Sequence, residues 1–145
     1  MHADTGIHLT RVVNLKRQDE PLAWSWVETD TTEMFLLDLL VEHCRFPVVA
    51  AERMDEPAGH PVDVVGCSCG FDVLAHQVRL PPAAIGDTLA FLYTGAYEDG
   101  CAANFNALPR PAIVLVSGSD AEIVRRAETI DDVFARDQIP ERLRP

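Results

Sequence analysis

Apolar and polar residues alternate from Ile7 to Lys16 (IHLTRVVNLK), the pattern of a strand with one buried face. Arg17 to Pro21 is polar and turns the chain. Leu22 to Thr29 (LAWSWVET) reads as a second strand, with Leu22, Trp24 and Trp26 on one face for core or dimer packing. Thr29-Asp-Thr-Thr32 offers capping side chains before MFLLDLLVEH, which predicts a short helix or irregular apolar segment over Glu33 to His43. Strands follow at Phe46–Ala51, Pro61–Gly66, Phe71–Leu80 and in TLAFLYTGAY, with corners at Pro81-Pro82 and Gly86-Asp87. The run Ala112–Ser117 and AEIVRRAE bracket a Ser-Gly-Ser-Asp hairpin signal, and Thr129 caps a terminal helix over Ile130–Arg136. About eight strands, little helix and no βαβ alternation predict a mainly β fold, an antiparallel sandwich or barrel with one or two short helices. No repeat or linker interrupts it, so residues 1–145 read as a single β-domain.

Charge narrows the function classes. A net charge of −11 leaves nothing to neutralise phosphates and argues against nucleic acid. No 18-residue apolar run exists and Met1 opens onto polar residues, so neither a membrane span nor a signal peptide is expected. Cys44, Cys67, Cys69 and Cys101 then read as reduced thiols of a cytoplasmic protein. Among the twelve cationic residues there is one lysine, Lys16. A mechanism that needs a lysine has that candidate or must borrow one.

Chemistry concentrates between Val62 and Tyr97. Cys67-Ser-Cys69-Gly70 suits a metal half-site, a redox pair, a nucleophile loop, or small thiols packing a tight turn. For zinc, Cys44, Cys101 and the histidines supply no second pair at regular spacing; His43 and His60 read as solvated loop residues. No metal site is expected. Asp72 and Asp87 lie at turns, where carboxylates bond backbone amides. Tyr97 ends an apolar strand, where its hydroxyl can meet a ligand while the ring packs.

The series VDVVG, Cys69, FDVLA, LPP, GDTLAFLYTGAY, NFN and Arg110-Pro111 resembles the C-terminal β-domain of fold-type III, pyridoxal-phosphate-dependent decarboxylases, the diaminopimelate, ornithine and arginine decarboxylase group. VVNLKRQ and WVETDTTEMFL upstream, and IVRRAETIDDVF downstream, extend the resemblance over Ile7 to Phe134. It implies a domain that completes an active site against a TIM-like barrel holding pyridoxal 5'-phosphate. Cys69 matches the family's active-site cysteine, and Tyr97 the tyrosine at the cofactor phosphate.

Two departures bear on substrate. Gly70 stands where the family has an acidic reader of the distal amine, in a turn one residue shorter, so Asp72 matches a structural aspartate further on. Leu36-Leu37 stands where diaminopimelate decarboxylases carry Arg-Pro. Glu33 is the nearest charged substitute, and Glu33 with Asp72 form the candidate substrate side.

Lys16 does not match the family's Schiff-base lysine, and no barrel sequence accompanies the domain. The resemblance therefore implies a small subunit of a split decarboxylase, inactive alone. A separate barrel chain would hold the cofactor, and the substrate would be an amino acid or carrier-bound amino-acyl group. The other reading is a non-catalytic module that occupies a decarboxylase-type interface.

Overall fold

The computed structural model describes residues 3–70 and 72–144. Phe71, the expected start of one strand, lies outside them. The chain divides into two compact units, residues 1–102 and 103–145.

The first unit is one nearly closed six-stranded sheet. Its strands are β1 (Ile7–Gln18), β2 (Trp24–Thr29), β3 (Val48–Ala50), β4 (Pro61–Val65), β5 (Val73–Arg79) and β6 (Thr88–Leu92), in the order β3-β6-β1-β2-β4-β5. With the hairpin described below this gives eight strands, and the mainly β expectation holds. One pairing differs from the all-antiparallel picture: β2 and β4 run parallel, Trp26 opposite Asp63 and Glu28 opposite Val65. Parallel neighbours need a crossover, and residues 30–60 provide it.

Burial explains the order. β6 lies between β3 and β1, and Leu89, Ala90 and Phe91 are all buried, as its unbroken apolar run requires. On β1 the inward residues are His8, Thr10 and Val12, while Ile7 and Leu9 face solvent. The polar pair is satisfied: His8 Nε2 lies 2.7 Å from Thr31 Oγ1, and Thr10 Oγ1 donates to Asp30 Oδ1 at 2.7 Å. Burial pushes the His8 imidazole down to about 4 against the opposing pull of Asp30, so it is neutral. Val12, Val27, Leu36, Val64, Leu74, Leu89 and Phe91 make the core.

Several expected elements are shorter in the structure. Glu33–His43 resolves into a 3-10 turn over Glu33–Phe35 and a four-residue helix, α1 (Asp38–Val41), because Leu36 drops fully into the core and breaks the helical run. β6 stops at Leu92, where Tyr93 takes a φ of 67°, and a short helix α2 (Glu98–Cys101) follows. Trp24 and Trp26 stack at 4.8 Å on the face opposite the buried Val27 and Thr29, and Leu22 precedes the strand.

The second unit is the hairpin β7 (Ile113–Ser117) and β8 (Asp120–Arg125), then α3 (Ile130–Val133). Thr129 and Asp132 form a reciprocal capping box at the start of α3. Among the described residues no helix is long and apolar enough to cross a membrane.

Candidate active-site wall

The turn after β4 is built around one buried carboxylate. Asp72 is 5 % exposed. Its Oδ2 accepts from the Ser68 amide at 2.8 Å and its Oδ1 from the Glu33 amide at 2.5 Å. Its own carbonyl accepts from the Gly66 amide at 2.7 Å, and the Cys67 amide donates to the Thr31 carbonyl at 2.8 Å. Two of these bonds close the turn 66–72 on itself, and two lash it to residues 31–33. Gly66 has to be glycine, since a Cβ there would lie 2.3 Å from Asp72 Oδ2.

This clamp leaves Cys69 exposed at the outer part of the turn. Cys67 is exposed as well, but burial and the Asp72 charge push its thiol up, so it is a poor nucleophile. The expected substrate pair, Glu33 and Asp72, is brought together. Asp72 has both oxygens occupied by backbone amides, while Glu33, 7 % exposed, lines a cavity of about 290 Å³ with Leu39, His43, Cys44, Phe46 and Leu74. Burial first, then the neighbouring Asp72, raise the Glu33 carboxyl. Leu36, in the place of an expected arginine, is fully buried, where a guanidinium would lose its hydration.

Tyr97 sits in a second turn, half-exposed, with φ 67° and ψ −37°. The Glu98 amide donates to the Ala96 carbonyl at 2.9 Å across it, which makes Tyr97 the centre of a classic-type γ-turn, a strained geometry. On the near side Gly95 abuts Gly6, where a Cβ on Gly6 would meet the Gly95 nitrogen at 2.3 Å. On the far side Glu98 Oε2 accepts from the Asp38 amide at 3.5 Å. Residues 31–38 thus hold both turns, Cys69's through Asp72 and Tyr97's through Glu98.

Glu98 escaped the sequence reading. The only signal was an acid directly after Gly-Ala-Tyr, which looks like an ordinary solvated charge at a strand end. Lys16 pairs with Glu28 at 3.3 Å on the β1–β2 surface and is half-exposed. Among the described residues, no three His, Cys, Asp or Glu side chains are grouped for a metal ion.

Comparison with known proteins agrees with the fold. The model of the pyridoxal-dependent decarboxylase C-terminal sheet domain matches residues 4–95. A diaminopimelate decarboxylase of Synechocystis is 38 % identical over 99 residues, covering 68 % of this chain and 21 % of the relative. One from Deinococcus radiodurans is 35 % identical over 136 residues, covering 92 % of this chain and 34 % of the relative. The crystal structure of the M. jannaschii diaminopimelate decarboxylase in complex with L-lysine superposes with a TM-score of 0.87 at 28 % identity, over 97 % of this chain and 32 % of that one. The chain therefore spans between a fifth and a third of the length of these relatives.

Proposed function

Because the chain belongs to the C-terminal sheet domain of the pyridoxal-dependent decarboxylases, we propose that it forms one wall of a decarboxylase active site, as the small subunit of a two-chain enzyme. The observation that carries this reading is the clamp on residues 31–38, which presents the exposed Cys69 and Tyr97 on preorganised turns. A thiol and a phenol fixed this way are positioned to line a reacting centre, and rigid support is what catalytic geometry needs.

The residues of this chain do not hold the cofactor by themselves. Its one lysine is engaged with Glu28 on a strand surface. The fit is that of a wall: with the cofactor bound, the Tyr97 hydroxyl would serve its phosphate and the Cys69 thiol would face the substrate. When bound, pyridoxal phosphate supplies the electron sink for breaking the bond to the carboxylate. The lysine amine and the phosphate cradle come from a barrel on a separate chain. In this division of labour the present chain shields the centre from water and offers Cys69 as a proton donor.

The substrate is an amino acid, free or carrier-bound, with a weakly charged distal end. Gly70 and the buried Leu36 remove two charged readers, and Glu33 at its cavity remains on the substrate side with Asp72 supporting the turn behind it. Cytoplasmic operation fits the four reduced thiols.

The test is co-expression with a pyridoxal-phosphate-binding barrel chain, assaying carbon dioxide release over an amino-acid panel that includes meso-diaminopimelate. The complex is expected to turn over a member of the panel, and Cys69→Ala to lower kcat by about a hundredfold or more with assembly intact. A chain that joins no barrel protein, with no cofactor absorbance in any mixture, sinks the reading. The replacement of both charged readers favours one other reading, a non-catalytic module seated at a decarboxylase interface. In that case Cys69→Ala leaves the partner's turnover unchanged.

A further inference from the structure

Glu98 has a different environment from the other carboxylates that hold this wall together. It is 4 % exposed, and its Oε1 is buried with no hydrogen-bond partner among the described residues. Its Oε2 has one long bond, 3.5 Å from the Asp38 amide. The charge that acts on it is Asp38 on α1, and Glu42 and Cys44 at the exit of that helix share the same field. A buried acid in such company favours its neutral form, and Glu98 is raised to about 7 by burial first and then by the Asp38 charge. The same field acts on Cys44, whose thiol is raised by burial and then by Asp38, Glu42 and Glu98.

The residue directly before Glu98 is Tyr97, at the centre of a strained turn. Strained backbone persists only where its surroundings over-determine it. Here one support is the Gly6–Gly95 approach, with the Thr94 amide donating to the Gly6 carbonyl at 3.0 Å, and a second is the Cys101 amide on the Tyr97 carbonyl at 2.9 Å. A third, the one that can titrate, is the Glu98 carboxyl against the start of α1. When neutral, it can donate its proton to the Asp38 carboxylate while accepting from the Asp38 amide. When ionised, it keeps the amide but faces a like charge in a dry site.

We infer that Glu98 is the positioning residue of Tyr97: its carboxyl group latches the first turn of α2 onto Asp38 and fixes where the tyrosine hydroxyl points, and loss of one proton loosens that latch. The use of a fixed Tyr97 rests on the decarboxylase reading above. The latch itself does not.

Fluorine NMR of the full chain labelled with 3-fluorotyrosine separates the two. Tyr93 and Tyr97 are the two tyrosines, so Tyr93→Phe leaves a single reporter. The Tyr97 signal is expected to be sharp at pH 6 and to move with a midpoint near pH 7. Glu98→Gln, which keeps both donor and acceptor, abolishes that transition and holds the sharp form up to pH 8. Asp38→Asn, which removes the like charge, lowers the midpoint by about one unit. In a catalytically competent assembly, the matching readout is the fall in kcat above pH 7, which flattens in Glu98→Gln. A Tyr97 signal that does not titrate in this chain, or that titrates unchanged in Glu98→Gln, overturns the inference. An inactive assembly with the expected fluorine titration fails the decarboxylase reading and leaves the latch standing.

Discussion

Replacing Asp72 by alanine strips acceptors from the Ser68 and Glu33 amides together. Both donors lie where the turn and the segment 31–33 meet, so the loss exceeds that of a surface bond. Asp72→Ala is expected to cost about 3 kcal/mol in urea denaturation. Exchange protection is expected to fall first at Gly66 to Ser68. A cost below about 1 kcal/mol would show that the turn holds without the clamp. The sequence indicated that this aspartate was structural through the family pattern, but not that it reached across 39 residues to Glu33. That pairing is a product of tertiary folding, and no local periodicity encodes it. Glu98 was illegible for a related reason. An acid at a strand end is charged and solvated in most proteins, and tertiary packing against the segment 33–38 is what local sequence could not show.

At the level of elements, strands were more legible than helices, although α3 starts at the expected Thr129 cap and is only shorter than expected. Strand alternation depends on local side-chain direction, so β1, β2, β4, β7 and β8 stand where the pattern put them. MFLLDLLVEH has apolar residues at helical spacing, yet the fold needs Leu36 in the core, and a four-residue helix is what remains. In the second unit Glu128 accepts from Arg110 through Nε at 2.9 Å and Nη2 at 2.5 Å, and from Asn104 Nδ2 at 2.6 Å. These bonds hold its carboxyl down at about 2, from an ordinary 4.5. A depressed folded-state value stabilises above pH 4.5, and the contribution disappears as pH falls toward 2. Glu128→Gln should therefore melt roughly 4 °C below the parent chain at pH 7, with the difference closing between about pH 4.5 and 2. A difference that is constant with pH would show that Glu128 acts through packing instead.

At the level of the whole molecule, two features point outward. Val114, Leu115, Val116, Ile123 and Val124 of the hairpin are all exposed, and a two-stranded ribbon is marginal without something packed against it. Under the two-chain reading, the chemistry that needs an amine falls outside this chain's single lysine. Lys16→Arg keeps the pairing with Glu28, so under the two-chain reading it should leave kcat of the assembled enzyme within about twofold. A loss of a hundredfold or more would place the cofactor amine on this chain and overturn the division of labour. Eleven of the chain's twelve cations being arginine was visible at the outset; that the twelfth is occupied on a strand surface was not.

The parallel pairing of β2 with β4 has a consequence for how such a wall can diversify. Between those strands the chain first lays β3 against β6 at one edge of the sheet, then returns to set β4 beside β2. Residues 31–38 open that excursion, so their spacing is committed both to the β3 edge and to the interior strand β4. Lengthening them would dislocate the sheet, whereas exchanging a side chain there would not. Under the proposed reading, a change in what this surface recognises is expected through substitution, as at Leu36-Leu37, before a change of length.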